Sequence, residues 1–159
     1  MYLVSACLLG IKTRFDGGEN LVKSLLPLAR QGILIPVCPE QLGGLSTPRL
    51  PAEISGPGGG DAFFTFGRGQ IKPRVLNKER EDITEAYLKG AREVLHLARL
   101  LPIRGVILKQ GSPSCGTLYI YDGSFTGKKI KGQGVTAALL ASNGYPLFDE
   151  KNCPFGNIN

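Results

Sequence analysis

The chain has 159 residues, a length that one domain with a real hydrophobic core accommodates. Glycine (22) and proline (11) are frequent, which speaks against a helical bundle, and 19 Lys/Arg against 13 Asp/Glu leave a net charge of +6 without an Arg-rich tract. That balance suits ordinary solubility as well as attraction for an anionic substrate or RNA, and no run approaches the ~18 uninterrupted apolar residues that would span a bilayer.

In chain order, "YLVSAC" is a short apolar strand that ends at Cys7. "LVSAC" also has the pattern of a bacterial lipobox. Only six residues precede Cys7, however, and none is Lys or Arg; a secretory signal has a charged start and about 7–15 apolar residues. A cytoplasmic, soluble protein with an unmodified Cys7 is the expectation. "NLVKSLLPLARQG" predicts a helix capped by Gly32, with Pro27 disturbing its middle. "ILIPVC" is a second apolar strand ending at Cys38, followed by Pro39 and Glu40.

A Gly- and Pro-rich flap or insertion is expected around 43–78, with "FFTFGRGQIKPRVL" as a hairpin or exposed flap inside a single domain spanning 1–159. "DITEAYLKGAREVLHLARLL" is the clearest helix: Asp82 and Glu85 have the spacing of a capping box. Ile83, Tyr87, Ala91, Val94, Leu95, Ala98 and Leu101 fall on one face, and Pro102 ends it. "GVILK" is a third apolar strand that runs into "QGSPSCG" with Cys115. "YIYDGSFTG" predicts a strand and turn, "GVTAALLASNG" a helix ended by Gly144, and "YPLFDE" a last strand.

Strands alternating with helices predict an α/β fold with a mostly parallel sheet covered on both faces, a three-layer αβα (Rossmann-like) arrangement. Ligands of such sheets bind beyond the carboxyl ends of the strands, where Cys7, Cys38 and Cys115 each stand within a few residues. Each alone reads as a small buried hydrophobe; together at equivalent strand ends they predict a shared site. Cys153, beyond the last element, reads as incidental. No C-x-x-C pair exists, so zinc-ribbon and thioredoxin spacings are absent.

Soft thiolates select zinc, copper(I) or iron–sulfur centres, and three protein ligands leave one position open, as in catalytic sites. Ligation without His points to iron–sulfur more than zinc, since His96 lies mid-helix among apolar neighbours. Beside these turns, Glu40 is a candidate general acid/base and Ser112 and Ser114 are candidate hydroxyls that position substrate or water. Their plainer readings are a surface acid and turn residues. Lys109 reads equally as a solvated strand end or a charge beside the site. Arg49, Glu53, Tyr121 and Asp122, in "TPRLPAEI" and "IYDGSFTG", are candidates for holding a substrate, or ordinary loop and hairpin residues.

Taken together, "SACLLG" with "RFDG", "VCPEQLGGLSTPRLPAEI", "ILKQGSPSCG", "IYDGSFTG" and "GQGVTAALL" resemble, in this order, the thiouracil desulfidase (TudS-like) family, from Ser5 to Glu150. The resemblance implies a [4Fe-4S] cluster held by Cys7, Cys38 and Cys115 with one open iron, a catalytic Glu40 and a catalytic Ser112. It also implies hydrolytic removal of sulfur from a thiolated pyrimidine as hydrogen sulfide. The stretch "SGPGGGDAFFTFGRGQ" is least like the shared motifs. Three rivals make different demands: desulfuration of thiolated tRNA bases needs salt-dependent RNA binding, a non-catalytic iron–sulfur or zinc sensor turns nothing over, and a persulfide sulfurtransferase needs one nucleophilic Cys. The S-G-G-x-D-S loop of tRNA-thiolating enzymes is missing.

Overall fold

A computed structural model of the chain describes residues 1–65 and 72–155. Its elements are β1 (Tyr2–Ser5), α1 (Leu26–Arg30), β2 (Leu34–Val37), α2 (Pro39–Leu42), β3 (Ala52–Ser55), α3 (Ala62–Thr65) and β4 (Arg74–Asn77). There follow α4 (Thr84–Leu100), β5 (Val106–Leu108), β6 (Tyr119–Tyr121), β7 (Lys129–Lys131), α5 (Val135–Ser142) and β8 (Leu147–Asp149). Strands β2-β1-β5-β8, in that order, form one sheet in which every pairing is parallel.

Alternate residues of these strands go to opposite faces, and both faces are covered. Leu3, Val106 and Leu108 meet Val94, Leu95 and Ala98 of α4 and Ala137 and Leu140 of α5. Val4 and Ile107 point the other way, onto Leu8, Leu25 and the α1 residues Leu28 and Ala29. Burial on both sides is why these strands read as unbroken apolar runs rather than alternating ones. The expected three-layer α/β architecture is the one observed. No helix among the described residues is long and apolar enough to cross a membrane.

Three local expectations change. The start of the expected hairpin or exposed flap is instead helix α3 (Ala62–Thr65), with Phe63 and Phe64 packed against the core. Pro27 lies at the start of α1, preceded by a 3₁₀ turn at Lys23–Leu25; a first helical turn lacks an i−4 partner, so Pro costs nothing there. Helix α4 begins at Thr84, and the Asp82–Glu85 capping box does not form. Backbone pairing of Asp82 with Leu76 keeps it outside the helix. Its carboxylate accepts from the Thr84 amide (3.0 Å) and hydroxyl (2.6 Å) instead.

Beside the sheet stand two antiparallel pairs, β3 with β4 and β6 with β7. Their Ile54, Val75 and Ile120 form a further core with Tyr87 and Ala91 of α4 and Val135 of α5. The 66–71 part of the expected flap lies outside the described residues.

Gly90 sets how closely α4 approaches α2, because a Cβ there would stand 1.8 Å from the Pro39 carbonyl oxygen. Backbone on both sides leaves no cheap escape. Gly90→Ala is therefore expected to cost about 3 kcal/mol, lowering Tm in a thermal melt by about 6–12 °C.

Candidate functional site

Because the sheet is parallel, its four carboxyl ends share one edge, and each is followed by a chemically distinctive residue. The 3₁₀ turn Ala6–Leu9 after β1 carries Cys7. Cys38 directly follows β2 and is the N-cap of α2, which carries Glu40 in its first turn. After β5 come Lys109 and the turn with Ser112 and Cys115, and after β8 comes Glu150. A cavity of about 610 Å³ opens at this edge, lined by Cys7, Cys38, Cys115, Glu40, Ser112, Arg49, Glu53 and Tyr121.

Ser114 and Asp122 are absent from that wall. Ser114 is fully buried; its hydroxyl bonds that of Thr136 at 2.8 Å, and its carbonyl accepts from the Thr136 and Ala137 amides. It fastens the cysteine turn to the start of α5. Asp122 accepts from the Ser124 amide (3.0 Å) and pairs with Lys128 (3.8 Å), holding the β6–β7 turn. Both residues expected to contact substrate serve as links within the fold, Ser114 through the Thr136 hydroxyl and Asp122 through the backbone of its own turn.

All four cysteines are unpaired. Burial pushes the Cys7 thiol above its ordinary pKa, with the Cys38 thiol adding to this and an Asn20 hydrogen bond opposing it. Cys115 is pushed much further by its own burial; Ser5 opposes this and Glu40, Cys38 and Cys7 add to it. The three thiols thus lie within each other's electrostatic reach in a wall without His. Among the described residues, no three His, Cys, Asp or Glu side chains are close enough to enclose a single ion. A thiolate site for one zinc needs every sulfur about 2.3 Å from the metal. A cluster of several irons gives each cysteine its own iron and accepts thiols spread around a cavity. Cys7, Cys38 and Cys115 could hold such a cluster by donor softness and placement.

Glu40 is held most closely through one oxygen. Arg49 Nε and Nη2 both reach Glu40 Oε2 at 2.6 Å. Nη1 donates to the Ser46 carbonyl and the Thr47 hydroxyl (both 3.1 Å), and Nη2 also to the Thr13 carbonyl (2.9 Å). Those contacts engage all three guanidinium nitrogens, so Arg49, a cavity-lining residue expected to touch a ligand, orients Glu40. The other oxygen, Oε1, faces the Ser112 hydroxyl at 3.5 Å. Ser112 Oγ accepts from the Ser114 (3.1 Å) and Cys115 (3.0 Å) amides, which directs its hydrogen toward Glu40. Tyr87 lines the same wall; burial and the adjacent Glu40 carboxylate raise its phenol well above the ordinary pKa.

Several participants carry no local motif. Gln110 Oε1 accepts from the Thr117 (3.1 Å) and Leu118 (3.2 Å) amides, while its Nε2 donates to Thr117 Oγ1 and Asp149 Oδ2; it closes the Ser112–Cys115 turn into a ring. Lys109 pairs with Glu150. Tyr119 and Phe125 join Tyr121 as aromatic walls, with Lys129 Nζ 4.8 Å from the Tyr119 ring centre. The aromatic content of "LYIYDGSF" was the available signal for this wall.

The profile of a family described as 2-thiouracil desulfurase matches residues 2–152. The chain is 45% identical over 150 residues to a Bacillus subtilis (strain 168) protein described as "Uncharacterized protein YbbK", covering 94% of this chain and 95% of that one. A solved structure of "[4Fe-4S]-dependent thiouracil desulfidase TudS" superposes with a TM-score of 0.81 at 37% identity, covering 97% of this chain and 93% of the other.

Proposed function

The chain belongs to the 2-thiouracil desulfurase family, and from that premise we propose that it is a hydrolytic, iron–sulfur-dependent desulfidase of thiolated pyrimidines such as 2-thiouracil and 4-thiouracil. One observation carries the reading: three unpaired thiols line one cavity together with a carboxylate whose outer oxygen faces a directed hydroxyl. A likeness over 97% of the chain to a [4Fe-4S]-dependent thiouracil desulfidase supports it. Cys7, Cys38 and Cys115 are the proposed ligands of a [4Fe-4S] cluster. When bound with one iron free of protein ligand, such a cluster supplies a thiophilic Lewis acid that polarises a carbon–sulfur double bond.

The protein's own groups do the rest. The aromatic walls hold the ring, and Glu40 Oε1 accepts a proton from the attacking water, whose oxygen bonds the ring carbon. Ser112 donates to Glu40 Oε1 and keeps that oxygen aimed into the cavity. Glu40 then returns the proton to the departing sulfur as the carbon–sulfur bond breaks. The remaining hydroxyl proton of the added water passes to the sulfide as the carbonyl forms. Atoms balance as thiocarbonyl plus water giving carbonyl plus hydrogen sulfide. The carbon keeps its oxidation level, so no external electrons are needed.

The test is purification without oxygen, measurement of iron and acid-labile sulfide, and incubation with both thiouracils while uracil and hydrogen sulfide are quantified. Stoichiometric release of the two supports hydrolysis; an iron-loaded protein that releases neither overturns it. Arg49→Lys probes the positioning of Glu40. A lysine keeps the charge but offers a single point of attachment in place of the planar fork, so kcat should fall by about 10–10²-fold with iron content unchanged.

A further inference from the structure

The Glu53 carboxylate is 8% exposed, and among the described residues no Lys or Arg pairs with it. Its Oε2 accepts from the amides of Gly123 (2.9 Å) and Phe125 (3.0 Å). Among the described residues its Oε1 has no hydrogen-bond partner, yet no described side-chain oxygen is both buried and unpartnered. Oε1 is therefore open, and the open space that Glu53 borders is the cavity. A carboxylate oxygen so placed calls for a donor from a ligand.

The surrounding backbone is built to keep it there. Phe125 and Arg80 are the described non-glycine residues with positive φ (60° and 66°). Both belong to this clamp: Arg80 donates to the Gly123 carbonyl (3.2 Å) and covers the Phe125 ring at 5.2 Å. Gly123, at φ 87°, packs so tightly on β3 that a Cβ would stand 2.7 Å from the Ile54 carbonyl oxygen. Strain of this kind persists where the surroundings over-determine it, commonly at ligand sites.

We propose that Glu53 is a specificity-determining residue whose Oε1 accepts the ring N–H flanking the thiocarbonyl carbon, so that the site takes uracil-type and rejects cytosine-type thiopyrimidines. The proposal rests on the desulfidase reading. In a uracil-type ring the nitrogen between the two substituted carbons carries hydrogen and donates to the carboxylate. In a cytosine-type ring that nitrogen presents a lone pair, and two acceptors face each other in a nearly dry wall. A site built to bond a ligand N–H discriminates strongly against the ligand that lacks it.

The experiment compares 1-methyl-2-thiouracil with 1-methyl-2-thiocytosine, in which the other ring nitrogen is blocked. Wild type should prefer the uracil compound by at least ~10²-fold in kcat/KM, mostly through KM. Glu53→Gln should reverse or erase the preference. The Gly123 and Phe125 amides demand the glutamine oxygen, which leaves Nε2 facing the cavity as a donor to the cytosine-type nitrogen. An unchanged preference in Glu53→Gln, or an equal use of both compounds by wild type, overturns the proposal. Failure of the desulfidase reading looks different: iron-loaded wild type releases no sulfide from either compound. Calorimetric binding of 1-methyluracil against 1-methylcytosine then decides, with equal affinities overturning the proposal and a preference removed by Glu53→Gln upholding it. Wild type alone gives a check free of folding effects, since 3-methyl-4-thiouracil should bind far more weakly than 4-thiouracil.

Discussion

Protein purified without oxygen after replacement of Cys7, Cys38 or Cys115 by Ala is expected to lose bound iron and desulfidation together, each variant as completely as the others. The three thiols come from three separate strand ends of one parallel sheet. Removing one takes away a third of the proposed protein attachment and would leave a second iron with no protein ligand, exposed to solvent from the cavity. Thiols are small, so Ala leaves only a minor void at Cys7 and Cys115 and less at the half-buried Cys38, and the fold should survive. Cys153→Ala serves as the control. It packs at the edge of the core around Leu8 and Leu25 and is absent from the cavity wall, so iron content and rate should stay at wild-type levels. Retention of activity by any two of the three cavity variants would remove the cluster reading and favour a single nucleophilic cysteine carrying persulfide.

Glu40→Gln is expected to separate chemistry from cofactor. Iron, sulfide and the visible absorption of the cluster should remain, KM should move little, and kcat should drop about 10²–10⁴-fold, the usual worth of a positioned general base. The geometry explains why this substitution is selective. The side chain is the same size, and its amide oxygen can still receive both Arg49 nitrogens that reach Oε2 at 2.6 Å. What changes is the oxygen opposite Ser112, replaced by an amide nitrogen that takes no proton from water. A Glu40→Gln variant with wild-type turnover would exclude Glu40 as the proton acceptor. One that loses iron as well would make it a structural support of the cysteine turn.

The resemblance read from the motifs agrees with the family profile and with the superposition on a solved thiouracil desulfidase. The three apolar runs, their terminal cysteines and the long amphipathic helix were legible because each is a local pattern: burial on both strand faces leaves uninterrupted apolar residues, and one buried helix stripe leaves a 3.6-residue period. From these the layered α/β fold and the idea of a common strand edge follow. The capping box at Asp82 was misread for the opposite reason, since a bridge to Leu76 from outside the helix decides that residue's backbone.

Side-chain duties lay beyond local pattern. Glu40 and Ser112 are 72 positions apart and meet only because β2 and β5 flank β1 in the sheet. Arg49 looked free to bind a ligand until the Thr13 carbonyl and Glu40 took its donors. Ser114 and Asp122 looked like site residues until their own turns and α5 claimed them. Glu53 is a cavity acceptor only because the turn after β6 returns to bind one of its two oxygens. The amino-acid order by itself thus determined the main sheet strands, the long helix and the chemical groups at the strand ends, since propensity and burial act over a few neighbours. The tertiary structure alone decided which of those groups are satisfied by the protein and which remain open to a ligand, because a hydrogen bond is settled by partners that only the folded chain brings within reach.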